Sequence, residues 1–131
     1  MIGLDTSVIV RYLVGTPEAQ ARRAAALIDG EDVCAISLVA LAEAAHVLRT
    51  QYDVAQRDII DALTALIQRE NVRLLGVRTD HVVSALVRAR DLPGRPIPNA
   101  LIVASAIAGD ALPLATFDRG QARYGIATRA P

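Results

Sequence analysis

The sequence predicts an α/β fold in which a central, mainly parallel sheet of about five strands is covered by helices on both faces. Short apolar runs alternate with longer segments in which apolar residues recur every three or four positions. Strands that alternate with helices favour parallel pairing, because each helix carries the chain back to the start of the next strand. The length of 131 residues suits one domain, so we expect a single domain over residues 1–131.

Five short apolar runs are the candidate strands. Each is short for a helix and is followed by turn or helix-capping residues. They span residues 1–4, 33–36, 72–77, 112–117 and, as a possible edge strand, 125–128.

The segments between these runs carry helix start and stop signals. The predicted helices span residues 5–13, 18–29, 38–50, 54–70, 79–90 and 99–108, and residues 118–124 form a short helix or turn. Residues 5–7, Ser37, Thr79 or Asp80, Asn99 and Asp118 are the candidate N-caps, and Gly30 ends the second helix.

The composition bounds the possible functions. Hydrophobic residues make up 53% of the chain and aromatic residues only 3%, so the core must be aliphatic. The formal net charge is zero, which argues against a protein that binds nucleic acid through a broad positive surface. All 14 basic residues are arginine, the residue that binds phosphate in a bidentate manner. The single cysteine, Cys34, excludes an internal disulfide and a multi-cysteine zinc site, and its apolar run indicates a buried thiol. No membrane span or signal peptide is recognised, so we expect a cytoplasmic protein without a membrane partner.

Three acidic residues and one amide lie where an apolar run stops or is interrupted. Asp5 and Asp118 each follow a predicted strand, Glu43 interrupts the third helix, and Asn99 opens an apolar helix. The carboxyl ends of parallel strands meet at one edge of a sheet, so we expect Asp5 and Asp118 to share that edge. Each residue also has a simpler interpretation: Asp5, Asn99 and Asp118 as helix caps, and Glu43 as a solvent-facing helix residue.

The joint placement of these residues predicts a hard metal site. Buried or half-buried carboxylates are unfavourable unless they are paired or bound to a cation. Mg²⁺ and Mn²⁺ prefer several oxygen ligands and retain water molecules. Two such ions, or one ion and a substrate phosphate, activate water for phosphodiester cleavage.

Four motifs give this pattern a specific resemblance. Residues 2–8, IGLDTSV, resemble the opening of the PIN-domain nucleases, and residues 38–43, LVALAE, resemble the second acidic motif of that family. Residues 98–104, PNALIVA, resemble the third motif, and residues 114–118, LATFD, the fourth. The match covers nearly the whole chain, and the length is similar to that of a VapC-type toxin.

The resemblance implies a three-layer α/β/α PIN-like fold and a Mg²⁺- or Mn²⁺-dependent endoribonuclease toxin that cleaves RNA. It also implies a homodimer that is neutralised by a cognate VapB-type antitoxin. The implied catalytic and metal-binding residues are Asp5, Glu43, Asn99 and Asp118. Thr6, Ser7 and Thr116 are the implied supporting residues.

Asn99 departs from the family pattern, which usually has Asp at this position. The Asn carbonyl still ligates a hard cation, but it supplies no negative charge and accepts no proton as a base. The Asn is either natural or a replacement that makes a toxic enzyme harmless. The alternative function is therefore a PIN-fold protein that binds antitoxin or RNA but whose catalysis is impaired by Asn99.

Other residues are weaker candidates for the site. Arg119 and Arg123 follow Asp118 closely and are the most attractive of the arginines that could contact phosphate, a set that also includes Arg11, Arg88, Arg90 and Arg95. Solvated surface arginine is the alternative for each. His46 lies three residues after Glu43 and could share its helix face as a ligand or base, with a partly exposed helix residue as the alternative. His81 has no evident role. A small-molecule hydrolase is disfavoured because the chain has neither a Gly-rich phosphate loop nor a G-x-S-x-G motif.

Overall fold

The computed structural model describes residues 1–131 and is an α/β protein in which every strand pairing is parallel. The predicted fold class is confirmed. The chain divides into two compact units, Met1–Leu75 and Gly76–Pro131. The single domain over residues 1–131 stays a prediction.

The first unit contains a three-stranded parallel sheet. Its order is β1 (Ile2–Gly3), β2 (Cys34–Ile36) and β3 (Val72–Leu74), so β2 is paired on both edges. All three residues of β2 are buried, as expected for the central strand of a parallel sheet. Cys34 is among them, which confirms the predicted buried thiol, and burial raises the pKa of this thiol.

Four helices complete the first unit: α1 (Thr6–Val14), α2 (Glu18–Ile28), α3 (Leu38–Tyr52) and α4 (Gln56–Ile67). α1 ends at Gly15, which adopts a left-handed conformation with φ 83°. α3 begins as predicted at Ser37, whose side chain accepts a hydrogen bond from the Ala40 amide. The core of this unit is aliphatic, as the composition requires, and its fully buried side chains include Ile9, Ile28, Ile36, Leu41 and Leu63.

The second unit contains α5 (Thr79–Ala89), α6 (Pro96–Ala108), β4 (Leu114–Ala115), the short 3₁₀ helix η1 (Arg119–Tyr124) and β5 (Thr128–Arg129). β4 and β5 form a two-stranded parallel sheet. Because β4 belongs to this sheet and β1 to the sheet of the first unit, a single sheet of five strands stays a prediction.

The prediction that Asn99 caps the sixth helix is wrong. α6 begins three residues earlier, at Pro96, and Arg95 occupies the N-cap position without a side-chain cap. Proline is tolerated in the first turn of a helix because amides there lack intrahelical partners, and Pro96 and Pro98 remove two such amides. Asn99 is therefore a residue of the helix itself.

Other predicted boundaries also shift. The N-cap of α5 is Arg78 rather than Thr79 or Asp80. Asp80 lies in the first turn instead, where its carboxylate accepts hydrogen bonds from the Arg78 guanidinium and the His81 amide. The strand predicted at residues 125–128 begins at Thr128, because Gly125 adopts a left-handed conformation with φ 74° and ends η1. None of the helices combines the length and the apolar character that a membrane-spanning helix requires.

Tyr124 fixes η1 against α6. Its ring is buried, and its hydroxyl donates a hydrogen bond of 2.9 Å to the carbonyl of Pro96. Burial, and then the negative charge of Asp118, raise the pKa of Tyr124 because both disfavour the phenolate.

Val10→Ala should lower the free energy of unfolding by about 2 kcal/mol, because Val10 is 1% exposed and its loss leaves a cavity. Val39→Ala is the matched control, because Val39 is also helical but 77% exposed. The gain in helix propensity is common to both variants, so the difference reports burial. Urea unfolding measures both, and equal changes would contradict the assigned core.

Tyr124→Phe should weaken the pH dependence of stability at alkaline pH. Above the ordinary tyrosine pKa of about 10 the unfolded chain releases the Tyr124 proton while the folded chain retains it, so stability falls as pH rises. Urea unfolding of the wild type and the variant at pH values of about 9 and about 11 measures this difference. The result expected is a smaller loss in the variant, and identical losses would disprove the contribution of Tyr124.

Candidate functional site

The first unit positions Asp5 directly beyond β1. The Leu4 amide donates to the Ala35 carbonyl at 2.8 Å, so parallel pairing continues to the residue before Asp5. Asp5 occupies the N-cap position of α1, as predicted, but its side chain makes no cap hydrogen bond. Its carboxylate Oδ2 instead accepts a bond of 3.0 Å from the Ser7 hydroxyl. The Asp5 carboxylate is therefore oriented by Ser7 and does not cap the amides of α1.

Thr6 connects the start of α1 to Glu43 of α3. The Thr6 side chain is buried at 8% exposure, and its hydroxyl donates to Glu43 Oε2 at 3.1 Å. This contact joins residues that are 37 positions apart in the chain. The structure therefore brings the predicted residues Thr6 and Glu43 into contact, next in sequence to Asp5.

The second unit holds Asp118 through a network of local hydrogen bonds. The Thr116 hydroxyl accepts a bond of 2.9 Å from the Asp118 amide, and Asp118 Oδ1 accepts a bond of 2.8 Å from the Gly120 amide. Asp118 is thus the N-cap of η1, which confirms the capping prediction. A Cβ atom at Gly120 would lie 3.0 Å from Asp118 Oδ1, so a larger residue there would crowd the carboxylate.

Asn99 and Asp118 line one cavity of about 250 Å³ in the second unit. Arg123 lines the same cavity, whereas Arg119 does not. The remaining lining residues are Leu92, Pro93, Pro96, Gly120 and Tyr124. The structure therefore groups two of the predicted site residues with one predicted phosphate-binding arginine.

Some expectations about the site are revised. Asp5, Glu43 and Asp118 are exposed rather than buried or half-buried, so their significance does not rest on the cost of a buried charge. Glu43 faces solvent because the apolar stripe of α3 runs along Leu41, Ala45 and Leu48 instead. The meeting of Asp5 with Asp118 at one sheet edge stays a prediction.

Tyr124 was not identified from the sequence, although it lines the cavity with Asn99. The Pro96 carbonyl to which Tyr124 donates lies 28 residues earlier in the chain, so no local sequence pattern indicates the contact. The histidines do not join the acidic residues. His46 is exposed, with its Nδ1 3.3 Å from the Arg49 guanidinium.

The acidic side chains predicted for the site are, unit by unit, of the type that binds a hard divalent cation. Asp5, Glu43 and Asp118 accept hydrogen bonds from neutral donors, which leaves their charge available. The ion pairs of Arg22, Arg69 and Arg78 are made with other acids, namely Glu18, Asp29 and Asp80. No three His, Cys, Asp or Glu side chains are grouped closely enough to hold a metal ion. Each carboxylate is a suitable ligand by its own chemistry, and additional oxygens around a cation would come from water or substrate.

Comparison with known proteins gives one finding. The model of the PIN domain family matches residues 2–127, which is nearly the whole chain. No curated protein and no solved structure matches. The family match agrees with the parallel α/β fold. The chain belongs to the PIN domain family.

Proposed function

We propose that this protein is a VapC-type toxin, a metal-dependent endoribonuclease that hydrolyses RNA phosphodiester bonds. PIN domains are generally metal-dependent nucleases, which supports the class of reaction. The proposal includes Mg²⁺ or Mn²⁺ as cofactor, a homodimer, and neutralisation by a cognate VapB-type antitoxin. It also includes a cytoplasmic location.

The observation that carries the proposal is the hydrogen-bonded set at the start of α1. Two adjacent hydroxyl residues, Thr6 and Ser7, each hold one carboxylate: Thr6 holds Glu43 and Ser7 holds Asp5. A hydroxyl donor fixes the orientation of a carboxylate without cancelling its charge. Such preorganised acidic oxygens are suited to a cation that binds phosphate.

The proposed roles follow from the contacts of each residue. Asp5, Glu43 and Asp118 provide carboxylate ligands, and Asn99 provides its side-chain carbonyl. The bound cation would supply Lewis-acid activation of water and stabilisation of the leaving oxygen. Thr6, Ser7 and Thr116 are positioning residues, because their hydroxyls bond Glu43, Asp5 and the Asp118 backbone. Arg123 lines the cavity with Asn99 and Asp118, where its guanidinium would bind a substrate phosphate.

The alternative is a PIN-domain protein that binds antitoxin or RNA without efficient cleavage. Its support is the amide of Asn99 in the cavity that Asp118 lines. An amide in place of a carboxylate removes one negative charge from the ligand set and so weakens cation binding. The two functions differ only in whether this loss is tolerated.

Asn99→Asp should preserve cleavage and lower the Mn²⁺ concentration that gives half-maximal rate, by about tenfold, because it adds one negative charge to the ligand set. The variant should fold, since α6 has no acidic residue in its first turn and a carboxylate near a helix N-terminus is favourable. Cleavage of structured RNA, with Mn²⁺ and with chelator, is measured for the wild type and for Asn99→Asp.

Asp5→Asn should lower the cleavage rate by at least about 100-fold. The control Asp58→Asn, which changes an exposed acid of α4, should leave the rate unchanged.

Each outcome of this assay selects a function. Chelator-sensitive cleavage by both the wild type and Asn99→Asp supports the toxin nuclease. Cleavage by the Asn99→Asp variant alone supports the impaired protein. Absence of cleavage by both, with unchanged circular dichroism spectra, would refute the nuclease proposal.

Thr6→Val should lose the hydrogen bond to Glu43 while it retains the shape of the side chain. The expected coupling between Thr6→Val and Glu43→Ala in a double-mutant cycle is about 1 kcal/mol of unfolding free energy. Thr6→Ser, which retains the hydroxyl, is the control and should keep most of this coupling. A coupling near zero would show that Thr6 does not hold Glu43 in solution.

A further inference from the structure

A groove between α1 and α2 lies next to Asp5. The α1–α2 groove has a volume of about 440 Å³. Its polar wall consists of Ser7, Arg11, Gln20 and Arg23. Its apolar floor consists of Val8, Ala24 and Leu27. No carboxylate lines the groove, so its charge is positive although the net charge of the chain is zero.

The groove begins at the acidic residues of the first unit. Ser7 is shared, because it lines the groove and its hydroxyl also donates to the Asp5 carboxylate. Arg11 lies four residues after Ser7 in α1, on the same helix face and about 6 Å further along the axis. The positively charged side of the groove therefore begins next to Asp5. The distance from Ser7 to Arg11 along the helix is similar to the spacing of neighbouring phosphates in an extended RNA strand.

The two arginines of the groove have free hydrogen-bond donors. Arg11 uses its Nε to donate to Gln20 Oε1 at 2.9 Å, which holds the guanidinium over the groove and leaves its terminal nitrogens available. The Arg23 side chain makes no hydrogen bond and no ion pair. Its neighbour Arg22 is exposed as Arg23 is, but it is paired with Glu18 one turn earlier. Adjacent arginines of α2 thus have different environments.

We propose that the α1–α2 groove binds the backbone of single-stranded RNA on one side of the bond to be cleaved, with Arg11 and Arg23 as phosphate ligands. This inference rests on the proposed ribonuclease function. The carboxylates of Asp5 and Glu43 repel a polyanion, so the flanking phosphates of the substrate require local cations. A positive groove that follows the backbone, with an apolar surface for the bases, is the usual form of a single-strand binding site. Arginine also bonds phosphate in a bidentate manner.

The test compares Arg23→Ala with Arg22→Ala, which remove adjacent arginines from the same helix. Binding of a fluorescein-labelled oligouridylate is measured by anisotropy in the presence of chelator, over a range of salt concentrations. Arg23→Ala should weaken binding about tenfold and lower the slope of log affinity against log salt by about 0.7. Arg22→Ala should change affinity by less than about twofold. In cleavage assays Arg23→Ala should raise KM and leave kcat unchanged.

Several results would overturn the inference. Equal effects of the two substitutions, or no binding of oligouridylate by the wild type, would remove the groove from the RNA path. If Arg23→Ala loses binding to a poly-glutamate peptide but binds RNA as the wild type does, the groove is a site for an acidic peptide instead.

Failure of the groove and failure of the nuclease are distinguishable. Wild-type cleavage with the same KM in Arg23→Ala would refute only the groove. Wild-type RNA binding that depends on Arg23, without cleavage, would refute only the nuclease. Urea unfolding midpoints of both variants check that the fold is intact.

Discussion

The parallel pairing of β2 with both of its neighbours is the constraint on which the first unit depends. Cα partners Ile2 with Cys34, and Cys34 with Val72, fix the register of the three strands. Parallel strands end at the same edge, so the helices that follow β1 and β2 begin side by side. α1 starts at Thr6 and α3 at Leu38, and the Thr6–Glu43 hydrogen bond then joins the first turn of α1 to the second turn of α3. The geometry of the acidic residues is thus a consequence of strand register.

Asp5, Glu43 and Asp118 keep their negative charge because their hydrogen-bond donors are neutral. All 14 basic residues are arginine, which forms strong bidentate pairs with carboxylates. Arg78 pairs with Asp80 in this bidentate manner, and Arg69 makes a single contact with Asp29. Asp5, Glu43 and Asp118 instead receive a hydroxyl, a hydroxyl and a backbone amide. Neutral donors orient an acidic oxygen without neutralising it, so binding of a cation need not first break an ion pair. Asp5, Glu43 and Asp118 are thus oriented while their negative charge stays uncompensated.

The sequence was informative where local chemistry decides the structure. The alternation of strands and helices, the Ser37 cap, the Asp118 cap and the burial of Cys34 were all predicted correctly. These features depend on propensity and apolar spacing, which can be read from the local sequence.

The errors arose where distant packing or backbone geometry decides the structure instead. The start of α6 was misplaced because two prolines suggest a loop, although the first turn of a helix accepts them. The cavity shared by Asn99 and Asp118 was not predictable in detail, because Tyr124 reaches Pro96 from 28 residues away. The sequence also did not indicate that Arg23 lines the α1–α2 groove while Arg22 does not. Two adjacent arginines do not show by themselves which of them faces α1.

The position of Asn99 within α6 sharpens the interpretation of the amide. If the residue were an N-cap, Asn and Asp would be nearly equivalent, because both side chains accept the capping hydrogen bond. Asn99 instead follows Pro96, Ile97 and Pro98 inside the helix, where the positive end of the helix dipole favours a carboxylate over a neutral amide. Helix stability therefore gives no reason for Asn at this position and would favour Asp modestly. Under the proposed function, the amide in the cavity that Asn99 lines with Asp118 and Arg123 is either a cation ligand that lacks charge or a substitution that disarms the site.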